Sequence, residues 1–248
     1  MTTTAVGIDI GGTGIKGAIV DVGTGELLTD RMKFATPSGG KPDDILDTVL
    51  ELFDKLGDIG PEVPLGVCFP AIVIHGKTMS AANVSKKWIG LDAEKSFEKK
   101  LGRGIHFVND ADAAGVAEAR YGAAVDAKGL TILTTLGTGI GSAMLFNGEL
   151  IPNSELGHVE LDGHDAESLA STSAKEKDDL SWEEWAKRLQ RYYEHLELLF
   201  SPDLFLVGGG ISKSSEEFLP LLDLRAPIKP ATLRNNAGIV GAAALASQ

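Results

Sequence analysis

The chain has 248 residues and a formal net charge of −12, from 35 acidic against 23 basic side chains. That length supports one large domain or two small ones with a sizeable buried core. The charge argues against broad binding to nucleic acid or an anionic membrane, and the single cysteine, Cys68, excludes a disulfide framework and any multi-cysteine metal site within the chain.

In chain order, residues 5–10 and 15–21 read as strands around a glycine-rich turn at Gly11–Gly14, with Leu27–Phe34 as a third antiparallel strand. Pro42–Leu56 reads as a helix. Pro42 suits its first turn, Asp43 and Asp44 suit the N-terminal dipole, and Ile45, Leu46, Val49, Leu50, Phe53 and Leu56 follow the helical period. Residues 64–69 and 104–109 are short buried strands, and Cys68 reads as a small core residue. Asp110–Tyr121 is an alanine-rich helix. Residues 130–136 and 140–147 are strands around a second glycine turn, with Glu149–Pro152 after them. Asp162–Asp179 is the most polar stretch, lacks a clear period and reads as a surface loop. Ser181 and Glu184 form a capping box for a helix whose apolar face carries Trp182, Trp185, Leu189, Tyr192, Leu196 and Leu199. Pro202 ends that helix, residues 203–207 form a buried strand, and a last helix covers 236–246.

The opening pattern occurs twice. Gly12-Thr13-Gly14-Ile15-x-x-Ala18 recurs as Gly137-Thr138-Gly139-Ile140-x-x-Ala143, 125 residues later. The expectation is two similar α/β halves meeting near residues 111–113, each offering a glycine turn to one central cleft. The N-terminus, Met-Thr-Thr-Thr, lacks the basic start of a secretion signal, and no apolar stretch reaches bilayer-spanning length. A cytoplasmic protein is expected.

Five strings carry chemistry. In Asp9-Ile10-Gly11-Gly12-Thr13-Gly14-Ile15-Lys16, glycines let backbone N–H groups converge on a phosphate, with Thr13 as a hydroxyl donor and Lys16 as a cation. Asp9 suits a magnesium ion, held directly or through water. Gly137-Thr138-Gly139 repeats the phosphate-binding pattern. In Asn109-Asp110-Ala111-Asp112, after a buried strand, Asp110 reads as a general base and Asp112 as the helix cap. An ordinary aspartate, with a pKa of about 3.9, is ionised at neutral pH and accepts a hydroxyl proton. Glu155-Leu156-Gly157-His158 offers two groups to a polyhydroxyl ligand, with Glu167 as a further carboxylate, or else forms a surface turn. Gly208-Gly209-Gly210 passes under a nucleotide or makes a tight strand–helix connection.

In this order, Asp9–Thr13, Asn109-Asp110, Leu136–Gly139, Glu155-x-Gly157-His158 and Val207–Gly210 resemble the motifs of ROK-family sugar kinases across essentially the whole chain. Within that family, residues 81–93, 109–119, 136–144, 152–158, 180–189 and 202–213 resemble the actinobacterial polyphosphate glucokinases. The resemblance implies a two-lobed actin-like ATPase, ribonuclease H-like α/β fold with a central cleft. Its N-terminal domain would be residues 1–111 plus 236–248, and its C-terminal domain residues 112–235. The implied reaction moves a terminal phosphoryl group from inorganic polyphosphate, and from ATP, to the 6-hydroxyl of glucose, with mannose as a second acceptor. The alternatives are an ATP-only glucokinase and a non-catalytic sugar-binding protein on the same fold. Asp110 would be the base, while Asn83, Asn109, Glu155, His158 and Glu167 would hold the other sugar hydroxyls. Gly11–Thr13 and Gly137–Gly139 would grip the donor, Gly208–Gly210 would lie beside adenosine, and Mg²⁺ would sit with the donor near Asp9. Many family members carry a cysteine-rich zinc motif after the histidine. Residues 159–175 contain no cysteine, so no zinc is expected. A homodimer is expected from the family alone.

Residues 77–103 carry seven basic side chains against three acidic ones, a local balance of +4. Such a run is either a solvated helix face or a track for a polyanion. Lys86 and Lys87, beside Asn83, are read as donor contacts.

Overall fold

The computed structural model describes residues 4–248. Two compact units emerge. One ends at Ala117 and includes Asn236–Gln248, and the other is Glu118–Asn235. No helix among the described residues is long and apolar enough to cross a membrane.

The first unit opens with β1 (Thr4–Ile10) and β2 (Gly14–Asp21), paired antiparallel from Thr4↔Asp21 to Ile10↔Ile15. β3 (Glu26–Leu27) and β4 (Met32–Ala35) both pair with β2. The expected continuous strand over Leu27–Phe34 is therefore broken. The Thr29 hydroxyl accepts from the Ile19 N–H at 3.1 Å, a bond a strand carbonyl would otherwise take, and Leu28 is turned out to solvent. α1 (Pro42–Lys55) follows, with Pro42 in its first turn and Ile45, Leu46, Val49 and Leu52 buried. Then come β5 (Leu65–Phe69), the small hairpin β6 (Val73–Ile74) and β7 (Lys77–Thr78), a 3-10 turn at Lys86–Trp88, and α2 (Ala93–Leu101). β8 (His106–Asn109) leads straight into α3 (Asp110–Tyr121), within which the two units divide.

The sheet order is β3-β2-β1-β5-β8, with β1, β5 and β8 parallel to one another. One face packs on α1, Trp88 and Phe97 in a large apolar core. The other is covered by the C-terminal helix Ala237–Ala246. Side-chain alternation along the strands assigns residues to the two faces.

The second unit contains β9 (Leu130–Leu136), β10 (Ile140–Phe146), β11 (Glu149–Ile151), a 3-10 turn at Leu156–His158, and the hairpin β12 (Glu160–Leu161) and β13 (His164–Asp165). α4 (Ala166–Ala170) and α5 (Thr172–Lys177) occupy most of the stretch expected to be a loop. Each is started by a side-chain cap: Asp165 accepts from Glu167 N, and Ser171 from Ala174 N. Buried Ala166, Ala170 and Ala174 anchor them, but neither is long enough to display a period. α6 (Trp182–Phe200) carries the expected capping box. β14 (Leu204–Gly208), α7 (Ser215–Phe218) and β15 (Ile228–Pro230) complete the unit. Its sheet order is β11-β10-β9-β14-β15. An antiparallel glycine hairpin with a parallel strand beside its first arm thus occurs in each unit: β2-β1-β5 and β10-β9-β14.

α8 (Ala237–Ala246) belongs to the first unit. It lies so close to the sheet that a Cβ on Gly7 would come 1.9 Å from the Ile239 carbonyl oxygen, and one on Gly66 equally close to that of Ala242.

Candidate functional site

In the first unit the site grows from the C-terminal ends of β1, β5 and β8, where parallel sheets present ligands. Asp9 is half-buried at the end of β1. Lys16, its cross-strand partner, donates to Asp9 Oδ2 at 2.9 Å. Lys16 thus supports the carboxylate as well as standing beside the turn. Cys68 is Asp9's partner on β5, and its sulfur lies 3.7 Å from Asp9 Oδ1. The thiol is completely buried. Burial first, then the charges of Asp9 and Asp110, push its pKa well above the usual thiol range. The sequence reading of Cys68 as a core residue holds, with a polar role added.

The turn between β1 and β2 is closed by Gly11 N donating to Gly14 O at 2.9 Å. Gly12 and Thr13 are exposed, and the Thr36 hydroxyl donates to Gly11 O. A Cβ on Gly12 would come 2.9 Å from the Asn83 Cβ, so Asn83 abuts the turn.

At the end of β8, Asn109 is almost fully buried. Its amide donates to Ala71 O at 3.0 Å, and its oxygen accepts from Ala111 N and Asp112 N. Asn109 therefore caps α3, and the expectation that Asp112 does so is corrected. Capping needs an acceptor just before the first helical turn, and Asp112 is buried within that turn. Asp110 is half-buried as the first residue of α3, with Oδ1 accepting from Ala111 N at 2.9 Å.

The basic stretch 77–103 is partly consumed by the fold. Lys86 donates to Ala81 O at 2.8 Å, Lys95 pairs with Asp92, and Lys100 with Asp47. The Arg103 guanidinium bonds carbonyls of the 59–63 segment and lies over Phe53. Lys87 is exposed and makes no ion pair among the described residues.

The second unit brings together Gly137–Gly139, Glu155, His158, Glu167 and Gly208–Gly210. Gly137 N donates to Gly139 O at 3.0 Å, and Ser173 N to Gly137 O. Glu167 Oε2 accepts from Ile140 N at 2.9 Å, and a Cβ on Gly139 would fall 2.2 Å from that oxygen. The turn thus rests on Glu167. Gly157 packs equally tightly on the Ile140 carbonyl. The Ser142 hydroxyl takes the Leu156 N–H and donates to Ser154 O, fixing the chain on both sides of Glu155. Burial first, then Glu167, raise the Glu155 pKa above its usual 4.5, against the opposing charge of His158. His158 Nδ1 and Asp165 Oδ2 are 2.8 Å apart, while Asp165 Oδ1 accepts from Glu167 N. That hydrogen bond raises the His158 pKa above 6.5 despite partial burial. Ligand atoms of His158, Asp165 and Glu167 lie within 4.8 Å of one another. They bond each other and the backbone.

Gly209 has φ +84°, and a Cβ there would meet Leu136 O at 2.4 Å. Both facts demand glycine, and they set Gly208–Gly210 against the strand end that launches Gly137–Gly139. Asp165, Ser142 and Thr36 escaped the sequence reading because each works through a backbone or neighbouring group, which spacing does not reveal.

A family model described as ROK family matches residues 5–172. Polyphosphate glucokinase from Mycobacterium tuberculosis is 49% identical over 238 residues, covering 96% of this chain and 89% of that protein. The solved inorganic polyphosphate/ATP-glucomannokinase from Arthrobacter sp. strain KM is 52% identical, with a TM-score of 0.95 over 99% of both chains. A ROK family glucokinase from Streptomyces griseus, in complex with glucose and AMPPNP, is 24% identical and shares the fold, with a TM-score of 0.83 over 99% of both chains.

Proposed function

The chain belongs to the ROK family and has its actin-like ATPase fold, and from that premise we propose that it transfers the terminal phosphoryl group of inorganic polyphosphate, and of ATP, to the 6-hydroxyl of glucose, with mannose as a second acceptor. The observation that carries the chemistry is the pair of half-buried carboxylates around one thiol. Asp9 stands at the end of β1 and Asp110 follows β8, on the two strands that flank β5 and its Cys68, an arrangement that supports reading Asp9 as a divalent-cation ligand and Asp110 as the base. The polyphosphate donor is supported by relatives near half identity over almost the whole chain.

Asp110 accepts the proton of the sugar 6-hydroxyl as the phosphoryl group arrives. Asn83, Asn109, Glu155, His158 and Glu167 hold the other sugar hydroxyls. Asn109 has one amide hydrogen beyond its bond to Ala71 O. The backbone and hydroxyl donors of Gly11–Thr13 and Gly137–Gly139 bind donor oxygens, with Lys86 and Lys87 nearby. Gly208–Gly210 border adenosine. Phosphoryl transfer asks mostly for positioning and charge stabilisation, which such groups supply.

The divalent cation is proposed to be magnesium. The residues fit it: Asp9 is a carboxylate with a partly exposed side chain at a strand end, and magnesium binds through one or two carboxylates plus phosphate oxygens and waters. When bound it neutralises charge on the donor. The protein is proposed to act in the cytoplasm as a homodimer.

The test is an assay of hexose 6-phosphate with polyphosphate or ATP as donor and glucose or mannose as acceptor. Product from both donors is expected. Product from ATP alone would establish the ATP-only reading, and none from either the non-catalytic one. Asp110→Asn should lower kcat at least 10²-fold while glucose still binds. Retained turnover would remove Asp110 as the base.

A further inference from the structure

One charged row in the first unit is not used by the reading above. Asp9, Lys16 and Lys33 are consecutive cross-strand partners on β1, β2 and β4. Direct partners share a face of the sheet. Lys16 is neutralised by Asp9 at 2.9 Å. Lys33 is exposed and makes no ion pair among the described residues. Two lysines directly opposite each other destabilise a sheet.

Lys33 does not simply point away. A Cβ on Gly14 would lie 3.0 Å from the Lys33 Cε, so the side chain leans over the residue that closes the glycine turn. Asn83 abuts Gly12 of the same turn, and Lys86 and Lys87 follow it three and four residues later in the chain. The connection from β4 ties these parts together. The Thr36 hydroxyl bonds Gly11 O, while Gly40 O accepts from Ser85 N and Trp88 Nε1. The turn therefore has an exposed lysine without an ion pair among the described residues leaning over its closing residue.

We propose that Lys33 is a donor-specificity residue, binding phosphates of a linear polyphosphate beyond the one being transferred. This rests on the polyphosphate reading and deepens it. A nucleoside triphosphate has three phosphates and then a ribose, so it presents no further anion to Lys33. A long polymer carries an anion at every repeat and engages it. The structural alternative is that Lys33 only guards the exposed edge strand β4 against pairing with another chain.

The test compares full-length wild type, Lys33→Ala and Lys33→Arg with long-chain polyphosphate and with ATP, at saturating glucose. Lys33→Ala should raise the KM for long-chain polyphosphate about three- to tenfold, the scale of one partly exposed charged hydrogen bond. The KM for ATP and both kcat values should stay at wild-type values, and Lys33→Arg should restore the polyphosphate KM. The slope of log Kd against log salt for polyphosphate should also become shallower in Lys33→Ala. Equal KM shifts for both donors, or no shift for polyphosphate, overturns the proposal. Aggregation with unchanged KM values would assign Lys33 to edge protection and overturn it too. Wild-type protein that makes no hexose phosphate from polyphosphate overturns the parent reading, and the role of Lys33 falls with it.

Discussion

Cys68 and His158 show how single side chains hold the site's charged groups. The Cys68 thiol sits in a dry core, with Asp9 raising its pKa, so it stays protonated and donates to the carboxylate. His158 works in the opposite sense. Its partner Asp165 favours the charged imidazolium, helped by Glu167 and Glu155, and together they outweigh desolvation. A histidine pKa raised by folding stabilises most below its unfolded value and loses that contribution as pH rises through the folded value. The His158–Asp165 link is thus strongest in mild acid and weakens as pH climbs past the raised pKa. Asp165 also accepts from Glu167 N, so the link joins the 155–158 turn to the start of α4. NMR titration of the His158 ring should give a midpoint above 6.5 in the wild type. Asp165→Asn should bring it down toward that value. An unchanged midpoint would remove Asp165 as the cause.

At the scale of elements, α8 carries a prediction that runs against helix propensity. Glycine inside a helix ordinarily costs about 1 kcal/mol relative to alanine, so Gly241→Ala should stabilise an isolated α8. Here a Cβ on Gly241 would stand 1.7 Å from the Ala113 carbonyl oxygen of α3, a backbone atom that cannot swing aside. The expected outcome is a loss of about 1–3 kcal/mol, typical of overpacking, read from the denaturant midpoint. A raised midpoint would mean that α8 and α3 separate without penalty. The same distinction explains what the sequence made legible. α1 and α6 were readable because each is long enough to display its apolar period and carries its own start signal in Pro42 or the Ser181–Glu184 box. The paired glycine hairpins were readable because Gly12–Ala18 and Gly137–Ala143 share one pattern. Nothing periodic marks α4 or α5, which depend on caps and on three buried alanines. The break between β3 and β4 depends on one threonine hydroxyl. At the site, Asp9 and the three glycine turns were legible as strings. The cap at Asn109 was missed because asparagine and aspartate both suit that position, and only the fold decides between 109 and 112.

For the whole molecule, the −12 total and the polyanionic donor conflict only if charge is averaged. Fields of exposed charges fade within about 8–10 Å at physiological salt, so a donor at the first turn senses Lys33, which leans over Gly14, more than distant carboxylates. The sugar groups raise a different question, because the proposed function gives them different roles. Asp110 is assigned to take a proton, whereas Glu155 is assigned to hold a hydroxyl. Thermal unfolding separates these roles. A ligand that binds only the folded protein stabilises it by about 2.7 kcal/mol at a hundred times its Kd. For chains of this size that raises Tm by about 5–10 °C. Wild type and Asp110→Asn should therefore show similar glucose-induced shifts, although only the wild type turns over. Glu155→Gln should lose much of the shift, because the amide presents one acceptor oxygen where the carboxylate presents two. The raised Glu155 pKa adds a pH signature. As pH falls, Glu155 takes up its proton at a higher pH than an ordinary glutamate, so the wild-type shift should begin to shrink above pH 4.5. The residual shift in Glu155→Gln should not shrink over that range. A full shift in Glu155→Gln would show that the Glu155 carboxylate does not hold the sugar, and a lost shift in Asp110→Asn would make Asp110 a binding group before it is a base.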